Sequence, residues 1–226
     1  MNEKRIKTPA KSKGDIAHSV AKAGLSALPV VGGPAVELFQ NVVQPPLEKR
    51  RAEWMSQVGE KLLELESNGL NLETLQDNEQ FISAAMYASQ LALRTHKQEK
   101  LDALRNALTN IATDQAPEEA MQHLFLNLVD TFTVSHIQIL QLFQNPTPPP
   151  NMSMGGLGNV LEHNMPDMCG RGDLYGQLWK DLYLKGLVNT EGMNVTMSGN
   201  GLGQKRTTSL GDEFLKFISE PIINAL

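Results

Sequence analysis

The chain of 226 residues contains a single cysteine, Cys169, so it can form no intramolecular disulfide. With no paired thiols and no Cys/His spacing of the zinc-binding kind, the expected compartment is a reducing cytoplasm. Aromatic residues make up only 5% of the chain, which points to helix packing through Leu, Ala and Met more than to sheet packing. Bulk positive charge is also missing: 20 Lys and Arg stand against 25 Asp and Glu, a net charge of -5. That balance argues against coating nucleic acid, while leaving room for a local basic face. The opening stretch MNEKRIKTPAKSKG lacks the apolar core and small-residue cleavage site of a secretory signal. No repeat at solenoid periods is visible. The most apolar stretch, residues 24–43, carries one charge, Glu37. Pro29, Gly32, Gly33 and Pro34 divide it into pieces too short to cross a bilayer as one helix.

What is present suits a packed fold. Hydrophobic residues are 41% and charged residues 20%, enough for a core in one large or two small domains. Residues 1–14, with Lys4, Arg5, Lys7, Lys11 and Lys13 against Glu3, read as a basic, solvated tail of the type that attracts phosphates or anionic lipid. Residues 15–133 read as a helical bundle with short connections. Its first part is an apolar helical hairpin with Leu25, Leu28, Val30, Val31, Val36, Leu38 and Phe39. Two roles stay open for it: packing on the bundle or on a second copy of the chain, and insertion into a membrane. Pro45-Pro46 is expected to kink the chain before a charged helix with Trp54, Val58, Leu62 and Leu65 at helical spacing. Ala-rich and Leu-rich helices follow, and Pro117-Glu118-Glu119 is suited to opening another.

Residues 134–226 read as a second domain. VSHIQILQLFQN is a helix ended by the prolines 146–150, and LGNVLEHNMP is a second short helix. Asp173 is a candidate N-cap for a third, LYGQLWKDLYLKG, which Gly186 ends. NVTMSGN and QKRTTSL are then expected to pair as a hairpin around Gly199-Asn200-Gly201, before a last helix, GDEFLKFISE. The expected fold class is mainly α: a helical bundle followed by a module of α-helices and a small β-hairpin.

The order His136, Ile139, Leu140, then Leu178, Leu182, Lys185-Gly186-Leu187-Val188, then Thr208, Leu210, Gly211, Phe214, Leu215 resembles the winged helix-turn-helix domains of bacterial regulators of the multiple-antibiotic-resistance type. The likeness covers about the last two fifths of the chain and rests on core and turn positions. The whole arrangement is also similar to bacterial proteins of the abortive-infection alpha type. The first resemblance implies a third helix that enters the major groove, with readers at Arg171, Gly172, Asp173, Tyr175, Gln177 and Lys180. It further implies wing contacts to DNA from Gln204, Lys205 and Arg206. The same helix holds Asp173 and Asp181 beside Lys180 and Lys185, a balanced charge that fits a protein contact as well as DNA.

Residues that carry chemistry are scattered. His18, His96, His123, His136 and His163 show no metal-ligand spacing, and Cys169 has no base that the sequence can name. Gly155-Gly156-Leu157-Gly158 lacks the Lys-Ser/Thr of a phosphate loop and reads as a flexible linker. The expectation is a non-catalytic binding or regulatory protein with no cofactor and no metal. Its partners would be DNA, another protein or a second copy of itself, in a stress or phage-defence role. The alternative is a membrane-acting effector that inserts the hairpin at 24–43.

Overall fold

A computed structural model describes residues 34–222. The tail at 1–14 and the hairpin residues Leu25, Leu28, Val30 and Val31 lie outside the described residues. The chain divides into two compact units, Met1–His96 and Lys97–Ile222. The boundary drawn from sequence at 133/134 falls inside the second of these.

The first unit opens with α1, Pro34–Ser67, which runs through Pro45 and Pro46 as one helical element. Each proline frees a carbonyl one turn back, that of Asn41 and that of Val42. This segment of the helix is mostly exposed, so water can take both carbonyls and the expected kink does not divide the element. Trp54, Lys61 and Leu65, seven and four residues apart, form the buried face of α1. That face packs on α3, Glu79–Arg94. Ala84, Ala85, Ala88 and Ala92 of α3 are buried and let the two backbones approach. The Trp54 indole donates to Ser89 Oγ at 3.0 Å. Between them, α2 (Leu72–Gln76) is capped by the Asn71 side chain and α3 by that of Asn78.

The second unit holds α4 (Gln98–Ala112), α5 (Glu119–Thr131), α6 (Val134–Leu142), β1 (Met154–Gly155), α7 (Leu157–Asn164), α8 (Gly172–Leu184), β2 (Met197–Ser198), the single turn α9 (Gly199–Leu202) and α10 (Ser209–Phe217). The few aromatic residues do much of the packing. Phe125 of α5 lies 5.5 Å from Phe214 and 5.7 Å from Phe217 of α10, ring centre to ring centre. Phe143 meets Trp179 of α8 edge to face at 4.8 Å. The last carbonyls of α10 have no intrahelical donor. Asn110 of α4, 2% exposed, donates to Phe217 O and Ser219 O at 2.9 Å, and Asn106 donates to Ile218 O at 3.0 Å. These bonds tie α4 to α10.

The end of α8 and the start of α10 form one joint. Gly186 takes φ +73, a left-handed turn that closes α8. Thr208 then donates its backbone N–H to Leu187 O at 3.0 Å and its hydroxyl to Gly186 O at 2.6 Å. The same hydroxyl oxygen accepts from Gly211 N at 3.1 Å and so caps α10. A Cβ on Gly211 would overlap Leu187 O, so this approach requires glycine.

The hairpin expected between residues 194–200 and 204–210 is not formed. Ser198 accepts from Gly201 N and starts the α9 turn, so Gly199-Asn200-Gly201 coils where a two-residue reversal was expected. Met197–Ser198 pairs instead with Met154–Gly155, antiparallel, and Gly199 N–H bonds Ser153 O at 2.8 Å. The returning segment meets the end of α8: Val188 and Thr207 bridge, and Asn189 N–H bonds Arg206 O at 2.9 Å. The described chain is mainly helical with one small two-stranded sheet.

Two glycines in this unit should respond oppositely to alanine. Gly211→Ala forces backbone against backbone and should cost about 1–3 kcal/mol or more in urea denaturation. Gly176→Ala, inside α8 with open space around it, should stabilise by roughly 0.5–1 kcal/mol.

Candidate functional site

The third helix of the proposed reader, α8, begins at Gly172 with Arg171 at the N-cap position. Asp173, expected to be the cap, sits within the first turn, where a carboxylate faces the positive end of the helix dipole. Tyr175, Leu178, Trp179 and Leu182 turn inward and are buried. Tyr175 was expected to read DNA, and this is a correction. It is 9% exposed and donates its hydroxyl to Glu162 Oε1 at 3.1 Å. Burial, and then the Glu162 carboxylate, raise its pKa above the ordinary phenol value.

The opposite face of α8 carries Asp173, Gln177, Lys180 and Leu184 at steps of three and four, all exposed. Gln177 leans along the helix to Asp181 Oδ1 at 2.8 Å. Leu184 is 69% exposed, with Leu174 and Tyr183 partly so on its flanks. Arg171, Lys180 and Lys185 are exposed, and no ion pair joins them to a described residue. The outward strip of α8 thus mixes an acid, an amide, a base and a leucine.

The two basic residues of the expected wing are both tied to neighbouring groups, Lys205 at the surface and Arg206 partly buried. The Lys205 ammonium pairs closely with Asp212, whose carboxylate also accepts from Thr207 Oγ1 at 2.7 Å and Gln144 Nε2 at 3.2 Å. Burial pushes the Asp212 pKa up, but the bonds from Lys205, Thr207 and Gln144 outweigh it and hold the group below the ordinary 3.8. The Arg206 guanidinium donates to Gly201 O and lies 3.1 Å from Met197 Sδ. Gln204 alone of the three stays exposed without such a tie among the described residues. Over Lys97–Ile222 the sequence holds nine Lys and Arg against fourteen Asp and Glu, so this unit carries the net charge of the whole chain. Asp212 escaped the sequence reading, although its place in the first turn of a Thr-capped helix was a usable signal.

His136, at the start of α6, is 5% exposed and stacks on Phe132 with ring centres 4.8 Å apart. Its Nδ1 accepts the Thr133 backbone N–H at 3.0 Å, which leaves the proton on Nε2, 3.4 Å from Asp181 Oδ2. Desolvation lowers its pKa below 6.5 and the Asp181 bond and charge only partly offset this. The ring is therefore a neutral link between α6 and α8. Cys169 is exposed. Among the described residues no group of three or more His, Cys, Asp or Glu is placed to hold a metal ion. The glycines at 155–158, expected to form a flexible linker, are built into the fold: Gly156 N–H bonds Asn159 Oδ1 at 2.9 Å and Gly158 N–H bonds Met193 O at 3.3 Å.

Of the hairpin residues, Val36 falls in the first turn of α1, while Leu38 and Phe39 are each 66% exposed. No helix of the described residues is long and apolar enough to cross a membrane. No family model matches the chain, and neither a curated protein nor a solved structure matches it.

The lowered pKa of His136 fixes a sign. Below pH 6.5 the unfolded chain takes up this proton before the folded one, so stability should fall as pH drops from 6.5 toward the folded value. Above 6.5 the group contributes no slope. Urea midpoints between pH 7.5 and 5.0 should fall in the wild type and fall less in His136→Gln.

Proposed function

We propose that the chain is a non-catalytic regulatory protein that acts by binding. In this reading its second unit is a winged-helix-like module that docks another protein through the outward face of α8. The element order supports the module: helix α6, strand β1, helices α7 and α8, then two segments that return antiparallel at Val188 and Thr207. The observation that carries the choice of partner is the chemistry of the face itself. Its most exposed large apolar residue is Leu184, with Asp173 and Lys180 on the same strip. A protein interface draws its energy from such apolar anchors ringed by polar groups. A DNA interface draws it from phosphate neutralisation by many unengaged cations. Here Arg206 is engaged inside the fold, Lys205 is held at the surface by Asp212, and the unit is acidic.

The full chain, titrated against a labelled duplex of mixed sequence, should show no saturable binding below about 10 μM at 100 mM salt, weaker than specific DNA-binding domains by orders of magnitude. A partner recovered with the tagged wild type should be lost with Leu184→Asp and kept with Lys205→Ala. Tight, steeply salt-dependent DNA binding that Lys180→Ala weakens would overturn this reading in favour of a DNA-binding regulator.

A further inference from the structure

The first turns of α1 present apolar side chains that the other described residues leave exposed. Leu38, Phe39 and Val42 are 66%, 66% and 65% exposed. At about 100° per residue, Leu38 lies roughly 160° around the helix from Trp54, and Val42 roughly 140° from Leu65. Trp54 and Leu65 define the face packed on α3, so Leu38 and Val42 point away from it, while Phe39, roughly 60° from Trp54, is exposed on its flank. Continuing along that outward side, Pro45 and Lys49 follow. Lys49 is 75% exposed in its side chain and only loosely paired with Glu53 at 3.7 Å. The order along the face is apolar first and cationic after, with no acid between Leu38 and Lys49 except Glu48.

Two further facts choose the occupant. Three residues two-thirds exposed offer an apolar area of a few hundred Å². A stable protein–protein interface buries about 1,200–2,000 Å², so this patch is too small to hold a second copy by itself. A lipid surface asks for less, because a short amphipathic helix and nearby cations add their effects. Lys49 is one such cation, and the sequence before α1 is basic in composition, with six Lys and Arg against two acids over residues 1–33. Apolar side chains followed by positive charge, on a chain whose described helices do not span a bilayer, match the interfacial mode and not the spanning one.

We propose that the amino-terminal turns of α1 dock on an anionic membrane surface, with Leu38, Phe39 and Val42 seated at the headgroup–acyl boundary and Lys49 at the phosphates. The attachment is peripheral and leaves the bilayer sealed. It is independent of the α8 face on the other unit.

The test uses the full chain and vesicles of phosphatidylcholine alone or with 30% phosphatidylserine. Co-sedimentation should favour the phosphatidylserine vesicles at least tenfold and be lost at 0.5 M salt, with no release of entrapped dye. Leu38→Asp with Phe39→Asp should reduce binding about tenfold at unchanged helical circular dichroism. Leu63→Asp, which alters another exposed leucine further along α1, should leave it unchanged. Absence of vesicle binding, equal binding by the double variant, or dye release would each overturn the proposal. So would conversion of an oligomer to a monomer by the double variant, which would make the patch a protein interface.

Discussion

The second unit depends on one close approach, that of Gly211 to the carbonyl of Leu187. It sets the start of α10 directly against the end of α8, and three bonds from Thr208 fix the arrangement. From there α10 runs back under α5 through Phe214 and Phe217, and its last carbonyls reach the asparagines of α4. The outward face of α8 is positioned by the same joint, since Gly186 ends that helix and Leu187 begins the return. The residues that carry the winged-helix resemblance, Lys185-Gly186-Leu187-Val188 and Thr208 to Gly211, are the two halves of this contact. They account for an architecture and say little about a ligand.

Charge then separates the two readings of the module. A wing serves DNA when its basic side chains are unengaged at the moment of encounter. In this chain Asp212 gathers Lys205, Thr207 and Gln144 onto one carboxylate, and Arg206 turns into the α9 turn. The bonds that hold the returning segment in place draw Arg206 inward and pair Lys205 with an acid at the surface, which lowers the net positive charge offered to a phosphate. Stability and DNA affinity compete for the same side chains. What remains outward on α8 is a short strip with an exposed leucine.

Local signals in the sequence carried most of the helices. Gly186 as the end of α8, the prolines from 146 after α6, and the helical spacing of Trp54 and Leu65 in α1 each lie where local chemistry decides the outcome. Non-local choices were not legible. Asn110 meets Phe217 across more than a hundred residues, so nothing near it reveals that α4 belongs with α10. The glycines at 199 and 201 suit a hairpin tip as well as a coiled turn, and the choice was made by Ser198 as a cap and by pairing with Met154–Gly155. The winged-helix resemblance makes Tyr175 a reader, although its spacing of three and seven from Leu178 and Leu182 places it on the buried face of α8.

Whether Asp212 holds the Lys205 ammonium decides how much positive charge the returning segment offers a ligand. A carbon-13 chemical-shift titration of the Asp212 carboxyl group in the full chain measures this directly. The midpoint should lie below the ordinary 3.8 and return toward it in Lys205→Ala. A midpoint at or above 3.8 that Lys205→Ala leaves unmoved would mean that Asp212 does not hold the Lys205 ammonium, which then stays available to a ligand, and the protein-docking account would fail.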